Sequence, residues 1–286
     1  MWLMFAFASA FFAGITAILS KIGIKNINSN LATAIRTAVV LIFSWFIVFI
    51  RGSQSGLAEI QAKAALFLVL SGIATGASWL CYFKALQLGN VSKVAPIDKS
   101  STILSMILAF IFLNEQITPL KVLCIALIGA GTYMMIENKG NEKNHSQNKG
   151  WLVWAVLSAV FAALTSVLGK IGISGIDSNL GTAIRTVVVL FMSWIVVFVT
   201  ASQRELKVII GKNLFFLIIS GMATGLSWLC YYRALQDGPA SIVVPIDKLS
   251  ILVTMAFATI ALKEKISKKS LFGLGLLTTG TLLLII

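Results

Sequence analysis

Residues Ser71–Ser100 read SGIATGASWLCYFKALQLGNVSKVAPIDKS, and residues Ser220–Leu249 read SGMATGLSWLCYYRALQDGPASIVVPIDKL. The two stretches agree at twenty of thirty positions. Thr16–Trp45 and Thr165–Trp194 agree at another twenty of thirty. One offset of 149 residues aligns both pairs without a gap, and also matches Asp98 with Asp247 and Glu115 with Glu264. Self-similarity at a fixed offset marks internal duplication. The repeat poses a chemical question as well, because it sets Pro-Ile-Asp-Lys twice within apolar surroundings.

The surroundings are apolar enough to name the solvent. Of 286 residues, 58% are hydrophobic and 12% charged, and mean hydropathy is +0.95. A soluble domain carries about 25% charged residues. Lipid must therefore face most of the perimeter. Apolar runs occur at 2–20, 30–50, 64–86, 91–113 and 119–136, and again at 151–169, 179–200, 213–235, 240–262 and 270–286. Each is near the ~20 residues a helix needs to cross hydrocarbon. None shows the short alternating pattern of a membrane barrel. The first run recurs at Gly150 and lacks a basic leader, so it reads as a retained helix rather than a signal peptide.

The predicted fold is all-α: a polytopic membrane protein with ten transmembrane helices in two five-helix repeats. Residues 1–137 form the first unit, 138–150 a polar linker and 151–286 the second unit. Five spans per unit and a linker too polar to cross place the second unit in inverted topology. Inverted pairs recur in transporters, where two similar halves give nearly equivalent states open to either side.

The net charge is +13. The basic residues fall mainly between the apolar runs, as in membrane proteins, and no nucleic-acid motif accompanies them. With inverted halves, fourteen Lys/Arg fall on one side and five on the other. The positive-inside rule would put both termini outside. Cys81, Cys124 and Cys230 lie in apolar runs without a CxxC pair, and His145 is the single histidine, in the linker. These offer no metal, cofactor or histidine-based catalytic set.

Polar residues within the runs are the candidate site. Arg36 and Arg185 lie a few residues into the second and seventh runs, where an arginine snorkels to headgroups or faces a cavity and binds an anion or carboxylate. Asp98–Lys99 and Asp247–Lys248 follow Pro96 and Pro245. The prolines open a first turn or break a helix, and a break is tolerated where it lines a cavity. Trp79, Tyr82, Trp228 and Tyr231 either line that cavity or pack in the core and aromatic belt. Glu115 and Glu264 end the fourth and ninth runs, as loop carboxylates that satisfy helix starts or as proton-coupling groups. Ser71, Gly72, Gly76 and their mates are small enough for close helix approach. Gly129–Gly131 and Gly273, Gly275 and Gly280 suggest scaffold or dimer contacts.

Pro96 and Glu115 flanking the fourth span, Gly129 in the fifth, and Pro245, Glu264 and Gly275 in the repeat resemble the drug/metabolite transporter superfamily, as two tandem EamA-type units. TAIRT, SWLCY and PIDK look like its small single-unit members. The resemblance implies a secondary transporter in the cytoplasmic membrane, moving a small organic solute by alternating access, by exchange or with proton coupling. It also implies a cavity lined by the first four spans of each half, with the fifth outside, and both termini in the cytoplasm. A lipid or lipid-linked head-group flippase would use the same groove. The expected partners are a small organic solute, membrane lipids, and protons or a counter-substrate, with a homodimer left open. No cofactor and no nucleic acid are expected.

Overall fold

The computed structural model describes residues 1–23, 28–88, 94, 97–135, 150–202, 211–261 and 267–286, and the regular elements among them are all helical. The first half holds α1 (Trp2–Gly23), α2 (Ser29–Arg51), a 3-10 helix (Ser53–Glu59), α3 (Ala62–Leu88), α4 (Ser101–Phe112) and α5 (Pro119–Met134). The second holds α6 (Gly150–Gly172), α7 (Ser178–Val199), α8 (Lys212–Asp237), α9 (Ala240–Lys248), α10 (Ser250–Ala261) and α11 (Lys268–Leu283). The linker up to 149, Pro96 and Glu264 lie outside the described residues.

Local chemistry sets several helix ends. Asn28 accepts from the Asn30 amide at 2.9 Å, and its repeat mate Asp177 accepts from Asn179 and Leu180 at 3.0 and 3.1 Å. Each side chain thus satisfies amide donors that the first turn leaves free. Gly52, at φ 71°, closes α2 in the left-handed conformation that favours glycine. Thr118 caps α5, whose first residue is Pro119, a position that needs no amide proton.

Seven described helices are long and apolar enough to cross a membrane, rather than the ten expected. They are α1, α2, α3, α6, α7, α8 and the pair α9–α10 taken as Ala240–Phe257. The reason is length. α5 and α11 have 16 residues each, so they rise about 24 Å against a hydrocarbon core of about 30 Å. The run expected at 91–113 is described in part, and its continuous helix α4 has 12 residues. Ile42 and Phe49 on α2 are exposed, as are their mates Phe191 and Phe198 on α7. These apolar faces suit lipid.

The two halves interlock. α1 packs on α8, and α3 packs on α6, so a first helix pairs with the third helix of the other half. The second helices join the same way through the repeated glycines. A Cβ on Gly72 would lie 2.7 Å from Val188, and one on Gly221 would lie 2.6 Å from Val39. Such distances leave no room for a side chain, so small residues set the spacing of the helices. α5 and α11 pair at backbone contact: a Cβ on Gly131 would sit 2.5 Å from the Gly273 carbonyl.

The Pro-Ile-Asp-Lys segments end in breaks. α9 contains Pro245 and stops at Lys248; Leu249 makes a tight turn, its amide donating to the Ile246 carbonyl at 2.9 Å, before α10 resumes. The first half repeats the turn: the Ser100 amide donates to Ile97 at 3.1 Å just ahead of α4. Pro245 itself lies inside α9, where its missing amide deprives the Ser241 carbonyl of a helical donor upstream of the break.

Candidate functional site

Each aspartate beside a break is held by the opposite half. Ser9 of α1 donates to Asp247 Oδ1 at 2.7 Å, and Ser158 of α6 donates to Asp98 Oδ1 at 3.1 Å. Ser9 and Ser158 are repeat mates, so one bond is made twice across the interlock. Their carbonyls accept from a second pair of mates: Ser227 to Ser9 at 3.1 Å and Ser78 to Ser158 at 3.0 Å. Lys248 Nζ lies 3.7 Å from Asp247 Oδ2, while Lys99 is exposed.

Between these elements is a cavity of about 280 Å³. Thr75, Ser78 and Trp79 of α3 form one wall, and Ala162, Thr165 and Ser166 of α6 another. Trp228, Tyr231 and Tyr232 of α8, Arg185 of α7, and Asp247 and Lys248 of α9 complete the lining with Ala13 and Ser227. Six of the twelve sequence candidates thus meet at one place: Trp79, Arg185, Trp228, Tyr231, Asp247 and Lys248.

Arg185 is the central cation and is only 2% exposed. Its Nε donates to Ser71 at 2.9 Å and its Nη2 to Thr75 at 2.5 Å. The guanidinium carbon lies 5.2 Å from the Trp228 ring centre and 4.9 Å from that of Tyr232. Cation–π contacts in such dry surroundings contribute about 2 kcal/mol. Its Nη1 is buried and has no hydrogen-bond partner among the described residues. Tyr231 turns its hydroxyl to Ser166 at 2.8 Å.

The mates of these groups are arranged differently. Arg36 is half-buried, donates from Nη1 to Ser20, and does not line this cavity. Ser20 also pairs with Ser220 at 2.8 Å. Tyr82 packs with Leu86 and Ile97 around buried Ala85, Val94 and Ala155, as an aromatic of the core. Glu115 serves a helix start, on the other half. Its Oε1 accepts from the Ala240 amide at 2.6 Å and its Oε2 from Ser241 at 3.0 Å, capping α9. Lys170 Nζ lies 3.7 Å from the same carboxylate and donates to the Gly238 carbonyl at 2.5 Å. The helix that carries Asp247 is therefore anchored at its first turn by the opposite half.

A family model described as the EamA-like transporter family matches residues 1–137 and again residues 149–286. The chain belongs to the EamA-like transporter family. As a member it is a secondary transporter of small organic solutes by alternating access, and a multi-pass protein of the plasma membrane. Over 137 residues this EamA-like chain is 43% identical to an uncharacterized transporter in the cobO 3' region of Sinorhizobium sp., spanning 48% of this chain and 97% of that relative. Over 109 residues it is 26% identical to the uncharacterized transporter YxxF of Bacillus subtilis (strain 168), covering 38% of this chain and 35% of that one. A solved crystal structure matches with a TM-score of 0.77 at 14% identity, over 98% of this chain and 95% of its own. That last likeness concerns the fold.

Several lining residues of this EamA-like transporter escaped the sequence reading. Thr75, Ser78, Thr165 and Ser227 were legible in principle, since each recurs at the 149-residue offset. Ser166 and Tyr232 were not, because their mates are Ala17 and Phe83. Hydroxyls that occur in one half alone carry no repeat signal.

Proposed function

We propose that the chain crosses the membrane ten times, as units 1–137 and 151–286 of opposite orientation joined by the linker 138–150. The short α5 and α11 act as the outer scaffold of each unit. The halves rock about the cavity and expose it to either side in turn. Trp79, Arg185, Trp228, Tyr231, Asp247 and Lys248 contact the solute there. Arg36, Tyr82, Asp98 and Lys99, with Glu115, hold the helices that form the complementary state. The observation that carries this reading is a cavity lined from both halves, with Asp247 and Lys248 beside a helix break.

A proton gradient is one drive for the solute, and counter-substrate exchange is the competing drive. The α5–α11 pairing lets a single chain suffice, without a homodimer. Uptake of solutes into proteoliposomes, read by mass spectrometry with and without an acid gradient, tests transport and coupling together. Lipid scrambling without solute uptake would turn the reading to a flippase. Labelling a cysteine placed in the linker decides orientation: reaction from outside puts both termini in the cytoplasm, and reaction from inside follows the basic-residue count.

A further inference from the structure

Both halves carry the arginine of TAIRT, and their surroundings differ by a few atoms. In the first half the Nη1 of Arg36 donates to Ser20. The residue 149 positions later is Gly169, which has no hydroxyl to offer. Tyr232 fills that space instead: a Cβ on Gly169 would lie 2.6 Å from its ring and 3.0 Å from its hydroxyl. The Nη1 of Arg185 is consequently buried without a partner among the described residues. Its other nitrogens are fixed by Ser71 and Thr75, and Trp228 and Tyr232 flank the guanidinium. The group is fixed on two nitrogens, and its third, Nη1, is buried and unpartnered among the described residues.

The charges nearby leave Arg185 uncompensated. Among the described residues no carboxylate lies within ion-pair distance of it. Asp247 is engaged by Ser9 and Lys248. The cavity lining holds two cations and one anion, Arg185, Lys248 and Asp247, for a formal charge of +1. A buried cation without an anion is costly, and a forked donor matches a carboxylate. The volume, about 280 Å³, falls just below that of drug-sized ligand pockets, which run from about 300 Å³ upward, and so suits a small solute.

We infer that the carried solute is a small organic monoanion whose carboxylate docks on the open Nη1 edge of Arg185, and that Arg36 is its structural counterpart without a binding role. The inference rests on the transport reading above. It gives the halves unequal tasks: the second reads the anion, while the first keeps the matching arginine occupied by Ser20.

The test uses the full chain in proteoliposomes. A small-metabolite extract is split by ion exchange into anionic, neutral and cationic fractions, and uptake of each is followed by mass spectrometry. The expected result is accumulation of carboxylates from the anionic fraction. Arg185→Lys keeps the charge and loses the fork; it should cut that uptake at least tenfold. Arg185→Gln keeps planar amide donors and loses the charge; it should do the same. Arg36→Lys should change uptake less than twofold, and unfolding temperatures would show that the variants are folded. Accumulation confined to phosphates, or to neutral or cationic solutes, overturns the inference while transport stands. Unaltered carboxylate uptake in both Arg185→Lys and Arg185→Gln also overturns it. Uptake of nothing from any fraction removes the transport reading itself.

Discussion

Arg36 gives its Nη1 proton to Ser20, whereas Arg185, one repeat later, has Gly169 where that serine would stand. The first arginine is half-buried and away from the cavity; the second is buried, flanked by two rings and part of its lining. Around them, Phe83 faces Tyr232 and Ala17 faces Ser166 as repeat mates. The exchange of Ser20 for Gly169 leaves the second guanidinium with a buried donor that has no partner among the described residues. The Asp98–Ser158 and Asp247–Ser9 bonds, by contrast, are kept in both copies. The bonds that tie the halves together are duplicated, while two groups that line the cavity, Ser166 and Tyr232, have diverged from their mates.

The widest gap should appear when each arginine is removed. Truncating a buried, hydrogen-bonded charge costs roughly 2–5 kcal/mol. Arg185→Ala should lower solute uptake about 100-fold or more and Arg36→Ala less than about tenfold; equal losses would erase the distinction. The aspartates come next. Asp247→Asn should reduce uptake about tenfold, near 1.4 kcal/mol, and Asp98→Asn less than about threefold, both measured as initial rates at fixed solute. A smaller effect belongs to the hydroxyls. Ser166→Ala removes the partner of Tyr231 and should raise KM about fivefold, near the ~1 kcal/mol of one hydrogen bond, while Ala17→Ser leaves KM unchanged. The least is Ser20→Gly, which frees Arg36. It should lower the unfolding temperature by about 2–4 °C and leave uptake as it was, since Arg36 lines no part of the cavity.

The repeat arithmetic made much of the fold readable. It placed the helix breaks at Pro-Ile-Asp-Lys, the close joints at Gly72 and Gly221, and the second pair of small surfaces near Gly131 and Gly273. Which helix meets which was not readable. A helix apolar on every side, like α3, does not reveal from periodicity whether its neighbour is its own first helix or the other half's. Apolar composition alone did not show that α5 and α11 are short, at 16 described residues each. The site was half legible. Arg185, Trp79, Trp228, Tyr231, Asp247 and Lys248 stand out as polar or aromatic groups in apolar runs. Tyr232, Ser166 and Gly169 do not, because each looks like an ordinary mismatch between copies until the fold brings it to one guanidinium.

The crosswise packing also has a consequence for how the protein is made. α1 leaves the ribosome well before its partner α8, which begins at Lys212, almost 190 residues after α1 ends at Gly23. At roughly 5–20 residues per second, that is a delay of about 10–40 s. α3 waits likewise for α6, with its glycine face turned to lipid or to another helix in the meantime. The order of synthesis is therefore not the order of assembly, and α1 finds its seat only after most of the helices that follow it have been made.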